Sequence, residues 1–337
     1  MFFCDPFGHT RPENLYNHGS DTVAETDYVF FHDQEPIQIE AHRDLFQDVV
    51  RRNQDISGVR GRVIVSERGE HVDRLCNIYG WQSSYYFFHG WACLDWFRGY
   101  NRTFLFPHPS QRAAPQVTFM SPNRIIGGER DHRALFIYHC ARLGLMNNHI
   151  SAPAVCPVEQ VTIQDIAMKY CSTYPDITQV IQSAGLPRLF QGEDTQQMTS
   201  CWLGNFTEAM SSIIYVPTET VYFGQRTHLT EKTFKAIALG MPFIPVAPAG
   251  SLAYLQEYGF QTFAHVWDES YDEETDDLRR LEKVCQLLAD IDSMSMHQRE
   301  VLWSHCQDTV IHNWNHFYHG GLEKILWGEL EAMLGEL

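Results

Sequence analysis

The sequence predicts an α/β fold with mostly parallel sheets, arranged in two halves. Three observations carry this expectation. Short apolar runs alternate along the chain with longer segments of helical periodicity, and strands alternating with helices build parallel sheets. The 337 residues suffice for two domains of ordinary size. The polar loops that stand out each follow a strand-like run, and in such folds ligands bind outside the carboxyl ends of strands.

The elements follow in order. Tyr28-Val29-Phe30-Phe31 reads as a strand, with the loop Asp33-Gln34-Glu35-Pro36 behind it. Val63-Ile64-Val65 is a second strand, Thr103 to Phe106 a third ended by Pro107 and Pro109, and Gln116 to Met120 a fourth ended at Pro122. Asp131 to Leu143 reads as a helix. In the second half Ser212 to Val216 and Pro242 to Val246 are strands. Gly250 to Tyr258 and Thr275 to Ala289 are helices, and Gln298 to Leu337 is largely helical. This pattern divides the chain into residues 1–148, residues 149–310, and a C-terminal helix over 311–337 that packs back on the first part.

Composition narrows the function classes. No run of 18 apolar residues suggests a membrane span, and Met1 to Asp5 lacks the pattern of a secretory signal. Nine scattered cysteines without a C-x-x-C pair read as reduced thiols, so a cytoplasmic protein is expected. The net charge of −17 opposes nonspecific nucleic-acid binding. That charge is uneven. Residues 1–150 carry 15 Arg against 17 acidic residues, whereas residues 151–337 carry 10 basic against 25 acidic ones. The first half therefore has the material for a local arginine patch, unless its arginines simply pair with its carboxylates.

The segment from His228 to Ile244 is the most informative. Phe234, Ile237, Ala238 and Met241 form one apolar helical face, Gly240 ends the helix, and Pro242 prevents its return. Thr230, Glu231 and Lys232 stand at its entrance. A helix N-terminus with an added ammonium suits a diphosphate, and Glu231 is placed to accept hydrogen bonds from ribose hydroxyls. Spacing alone favours a structural reading, since Glu231 and Lys235 form a favourable i, i+4 pair.

Other loops offer matching chemistry. His32, Asp33 and Glu35 lie directly after a strand, where a carboxylate can serve as a general base, although Asp and Pro are also ordinary turn residues. Asn123 is followed by Arg124, Arg130 and Arg133 around a loop-to-helix turn. Residues 79–106 hold 12 aromatics, with Arg98 and Arg102 among them; some stack on sugars or bases, and most enter the core. Metal signatures are weak. Asp290 and Asp292 lie on an acidic helix, and His312, His316 and His319 share a helical face without the His-Glu motif of a metallopeptidase. No Walker loop, G-x-G-x-x-G or G-x-S-x-G occurs.

Taken together these segments resemble fucosyltransferase-like glycosyltransferases of the GT-B fold. His228-Leu229-Thr230-Glu231-Lys232-Thr233-Phe234 with Gly240-Met241-Pro242-Phe243-Ile244 is similar to their donor signature. Phe119 to Asn123 with Arg133 resembles their Ser-Asn…Arg segment, and Glu35-Pro36 their Glu-x-Pro loop. The closer likeness is to glycosyltransferase-like proteins of bacteriophages, including their Phe-His-Gly-Trp segment, here residues 88–91, and a stretch like residues 267–272. The resemblance implies two Rossmann-like domains and an inverting, metal-independent transfer from a nucleotide-diphosphate sugar, with no cofactor. It implies Glu35, or Asp33 in its place, as the base. Thr230, Glu231 (to ribose), Lys232, Asn123, Arg133 and Arg130 would hold the donor, and His32, His89, Trp91 and Arg98 the acceptor. The acceptor is either a hydroxymethylated pyrimidine in phage DNA or a glycan or polysaccharide. A catalytically inactive module that binds sugar nucleotides or glycans is the alternative of a different class.

Overall fold

A computed structural model describes residues 2–5, 28–32, 36, 61–78, 80–102, 107–190, 193 and 201–335. It is a mixed α/β structure with two small parallel sheets. The first contains β1 (Phe2–Asp5), β2 (Tyr28–His32), β3 (Gly61–Val65) and β4 (Gln82–Tyr85) in that spatial order. In its register His32 pairs with both Asp5 and Val65. Helix α1 (Glu70–Ile78) connects β3 to β4 and buries Val72, Leu75 and Cys76, while α2 (Phe88–Phe97) follows β4.

The second sheet takes β5 (Val117–Ser121), then β6 (His149–Ile150) after α3 (Asp131–Arg142). Three short helices, α4 (Ile163–Met168), α5 (Ile177–Ser183) and α6 (Phe206–Ser211), lead to β7 (Ser212–Tyr215). The spatial order is β6-β5-β7. The chain thus leaves β5 to one side and returns on the other, so strand order reverses between β5 and β7. In open α/β sheets that reversal opens a crevice at the carboxyl ends of the two strands. Every residue of β7 is buried, as expected of a strand covered on both faces.

Residues 242–246 continue this sheet beside 215–219, through parallel bridges Tyr215↔Phe243 and Thr218↔Val246. They do so without a regular ladder, because Pro217, Pro242 and Pro245 have no N–H to donate. Helix α7 (Glu231–Ala238) precedes them. Its apolar face is the one the spacing predicts: Phe234 meets Phe87, Phe260 and Phe317 at ring-centroid separations of 5.6, 5.7 and 6.0 Å. Gly240 ends the turn at φ 62°. A Cβ there would sit 2.4 Å from Pro109 Cγ, so both the conformation and the contact require glycine.

The remainder is helical: α8 (Ser251–Glu257), α9 (Asp277–Asp292), α10 (Met296–Tyr318) and α11 (Gly321–Gly335). Helix α11 packs on the segment around α2, where Tyr86 donates to the Leu326 carbonyl (3.1 Å) and Trp91 meets Trp327 edge-on at 5.1 Å.

Two segment boundaries move. A division at 148/149 cuts the second sheet, since β5 hydrogen-bonds to both β6 and β7. A division at 310/311 falls inside α10; the chain turns instead at His319 and Gly320, where φ reaches 87°. Both differences have one cause: apolar periodicity finds an element but not its neighbour. The expected strand at 103–106 lies outside the described residues. Among the described residues, no helix is long and apolar enough to cross a membrane.

Candidate functional site at the strand ends

The crevice where strand order reverses is filled with buried polar groups. From β5, Ser121 donates to the Val216 carbonyl (3.0 Å). Asn123 is fully buried. Its amide donates to Ser121 Oγ (3.1 Å), and its carbonyl accepts from Thr218 Oγ1 (2.7 Å). Arg133, on the first turn of α3, reaches across to the other loop. It donates to the carbonyls of Ile125 (2.6 Å), Thr218 (2.8 Å) and Glu219 (3.1 Å). Burial, followed by the nearby charge of Arg130, pushes its pKa down to about 9. In this structure Arg133 therefore clamps the loops behind β5 and β7.

One residue that sequence reading missed is Glu219. It is buried, and its two oxygens take four hydrogen bonds. Oε2 accepts from Thr230 N (3.2 Å) and Oγ1 (2.5 Å), and Oε1 from Thr233 N (3.2 Å) and Oγ1 (2.6 Å). A carboxylate of the protein thus already sits at the N-terminus of α7, the position that helix-end electrostatics offer to an anion. Thr230 is also the N-cap, receiving Lys232 N at 3.5 Å. No local signal identifies Glu219 in the sequence. The only hint is its position just past a buried apolar run.

Lys232 is half-buried. Its ammonium donates to Glu231 Oε1 (2.9 Å), Thr220 Oγ1 (3.0 Å) and Thr230 Oγ1 (3.2 Å). Burial alone would raise the Glu231 pKa, but the charges of Lys232, Lys235 and His89 outweigh it and hold the carboxyl well below its usual range. Thr230, Glu231, Lys232, Asn123 and Arg133 thus form one connected cluster. Arg130 stands at its edge, 3.8 Å from Glu159. Beside Asn123, Arg124 keeps its Nε shut from solvent with no hydrogen-bond partner among the described residues.

The first sheet meets this cluster by its own strand ends. Ser66, Glu67 and Arg68 follow β3 directly. Arg68 and Thr227 exchange backbone hydrogen bonds (2.9 and 2.8 Å), and His228 Nδ1 lies 3.2 Å from the Ser66 carbonyl. Glu67 is buried and pairs with Arg226 Nε at 2.5 Å, and Arg226 also reaches Glu129 at 3.3 Å. One guanidinium thereby ties together the loops behind β3, β5 and β7. Burial acts to raise the Glu67 pKa, yet the close approach of His71, the hydrogen bond from Arg226, and the charges of His228 and Arg226 lower it to about 2.

The sign for stability follows from that depression. Ionised Glu67 contributes above its unfolded value of about 4.5, and the contribution disappears as pH falls from there through about 2. At full ionisation it amounts to about 3 kcal/mol. In urea unfolding followed from pH 6 to pH 2, Glu67→Gln is expected to flatten the acid-side loss by that amount. An unchanged slope would show that the pair does not carry it.

The proposed acceptor residues are not gathered in one place. His89 joins the cluster: it is buried, its ring lies 5.0 Å from that of His228, and its charge acts on Glu231. Trp91 points to Tyr86 and Trp327 instead. Arg98, just past the other end of α2, pairs with Asp95 at 3.4 Å and lines a separate cavity of about 300 Å³ with Phe317, Tyr318 and Glu323. The rise of a helix puts it about 13 Å along the axis from His89. His32 ends β2 beside Val65. Asp33 and Glu35 lie outside the described residues.

Several other polar groups serve the scaffold. His312 and His316 donate through Nε2 to the carbonyls of Gly259 (3.0 Å) and Tyr258 (2.7 Å), behind α8. Asp272 caps that helix at Leu252 N (3.0 Å), and Asp292 binds Thr118 (2.5 Å) and Asn148 (3.1 Å). No group of three or more His, Cys, Asp or Glu suited to a metal ion occurs among the described residues. Comparison with protein-family models, curated proteins and solved structures finds no match to this chain.

Proposed function

We propose that this chain is an inverting glycosyltransferase of GT-B type, taking a sugar from a nucleotide-diphosphate donor to an acceptor hydroxyl without a metal ion. The observation that carries the reading is the cluster of Asn123, Thr230, Glu231 and Lys232 at the reversal of strand order, with Arg124 next to Asn123 in the chain, faced by the strand-end loop of the first sheet. That is the crevice in which α/β sheets bind nucleotides, and it combines cations for a diphosphate with a carboxylate for ribose. The N-terminus of α7 is filled by Glu219, so the phosphate charge falls to side chains: Lys232, with Arg124 beside the crevice. Such groups stabilise the charge that develops on the leaving diphosphate. The proton of the acceptor hydroxyl goes to a group at the carboxyl ends of the first sheet, for which Glu35 and Asp33 are the sequence candidates.

Six of the described arginines of the first half are engaged within the protein, which favours a glycan over duplex DNA as acceptor. Arg68, Arg74, Arg98 and Arg130 pair with carboxylates, and Arg112 and Arg133 bind carbonyls. A DNA acceptor would need such groups for phosphates, and its binding would weaken steeply with salt.

The test is a thermal-shift screen across sugar nucleotides, followed by an assay for nucleoside diphosphate release. A donor at 100 times its dissociation constant adds about 2.7 kcal/mol of stability. Release that depends on an acceptor is the expected result. Binding with no release in the presence of any acceptor would favour the inactive binding module, and no binding at all would remove the reading.

A further inference from the structure

We infer that His71, positioned by Glu67, is the group that takes the proton from the acceptor hydroxyl, an inference that rests on the transferase reading. Glu67 and His71 occupy the strand-end loop and first turn of α1 behind β3, the strand adjacent to β2. His71 Nε2 lies 3.0 Å from Glu67 Oε1. The approach is oblique rather than along the N–H axis, since Nε2 has no directed hydrogen bond; such contacts commonly tighten when substrate binds. The carboxylate is itself held by Arg226, at 1 % side-chain exposure, while the imidazole keeps 13 %. A buried, anchored carboxylate beside a partly open imidazole is the arrangement that orients a base and stabilises the imidazolium it becomes.

The Nδ1 edge of the ring lies over Gly69. An alanine Cβ at position 69 would sit 2.6 Å from His71 Nδ1 and 2.7 Å from Cε1. The backbone of Gly69 does not itself demand glycine, because its φ lies outside the positive range. Its missing side chain instead lets the ring lie over it. With Nε2 on the Glu67 side of the ring, Nδ1 is the nitrogen that accepts.

The location connects the pair to the donor cluster. Arg226, which holds Glu67, belongs to the loop leading into α7, and His228 of that loop lies against His89, whose charge acts on Glu231. The step balances. The acceptor O–H bond breaks and its proton passes to His71 Nδ1. The oxygen forms the new bond to the anomeric carbon, and the bond from that carbon to the phosphate oxygen breaks. Its electron pair leaves with the nucleoside diphosphate.

The experiment compares wild-type protein with His71→Ala, Gly69→Ala, Glu67→Gln and Glu35→Gln, using the sugar nucleotide that stabilises the wild type. Loss of a general base costs about 10²- to 10⁴-fold. His71→Ala is therefore expected to lose kcat on that scale with donor KM unchanged, and added imidazole to restore part of it. Gly69→Ala, which displaces the ring and keeps it, is expected to lower kcat to a lesser degree, as is Glu67→Gln. These two variants retain the test should His71→Ala fold poorly. The inference is overturned if His71→Ala turns over at the wild-type rate, or if Glu35→Gln abolishes transfer while imidazole restores nothing to His71→Ala. A wild type that releases no nucleoside diphosphate overturns the transferase reading itself, and the inference with it.

Discussion

Glu219→Ala is expected to destabilise the protein by about 4 kcal/mol, mostly through the groups it leaves behind. Two backbone N–H groups and two hydroxyls, from Thr230 and Thr233, converge on this carboxylate. All are buried, so water does not replace the lost acceptor at no cost. Each stranded donor costs about 1–3 kcal/mol, reduced by whatever relaxation the first turn of α7 permits. Glu219→Gln is the informative partner. One oxygen remains to accept, while the new NH2 group opposes two donors, so about half of the loss is expected. Urea unfolding at pH 7 reads both, as a shift in midpoint at constant slope. A Glu219→Ala midpoint within about 0.5 kcal/mol of wild type would mean that the entrance of α7 is capped by something else.

Lys232→Met is expected to lower kcat for sugar transfer by about 10²- to 10³-fold, the scale of removing one preorganised charge from a transition state. The same substitution also affects folding. Glu231 is only 7 % exposed and relies on Lys232 at 2.9 Å. Without the ammonium its carboxylate keeps Lys235 and His89 as compensating charges. A cost of about 1–2 kcal/mol is therefore expected, tempered by the partial exposure of Lys232. The double variant Glu231→Gln with Lys232→Met removes both charges, and should recover stability while remaining inactive. Activity and stability are thus separated in one series. Transfer by Lys232→Met at the wild-type rate would remove Lys232 from the donor site.

How much was legible depended on how local each feature is. The entrance Thr230-Glu231-Lys232 was readable because a cap, a first-turn carboxylate and an apolar face all lie within one helix of eight residues. The strands at 28–32, 61–65, 117–121 and 212–215 were readable for the same reason. Glu67 escaped notice because its partners come from elsewhere: Arg226 is 159 residues away in the chain. Of the residues expected to meet an acceptor, His89, Trp91 and Arg98 share one short aromatic stretch, yet the helix separates them, with His89 at the cluster and Arg98 at the opposite end. His71 carried no motif, and only a missing Cβ at Gly69 marks the space beside it.

The sequence by itself determined the α/β class, the position of most elements, and the polar entrance of α7. Each follows from periodicity, capping and backbone chemistry acting over a few residues. Only the tertiary structure decided that Glu219 occupies that helix entrance, that Arg133 is bound to three carbonyls, and that Glu67 lies between His71 and Arg226. The physical reason is that a buried charge must find its partner in space. Which partner it finds is set by strand order and by where the loops of two sheets meet, quantities that no short window of sequence contains.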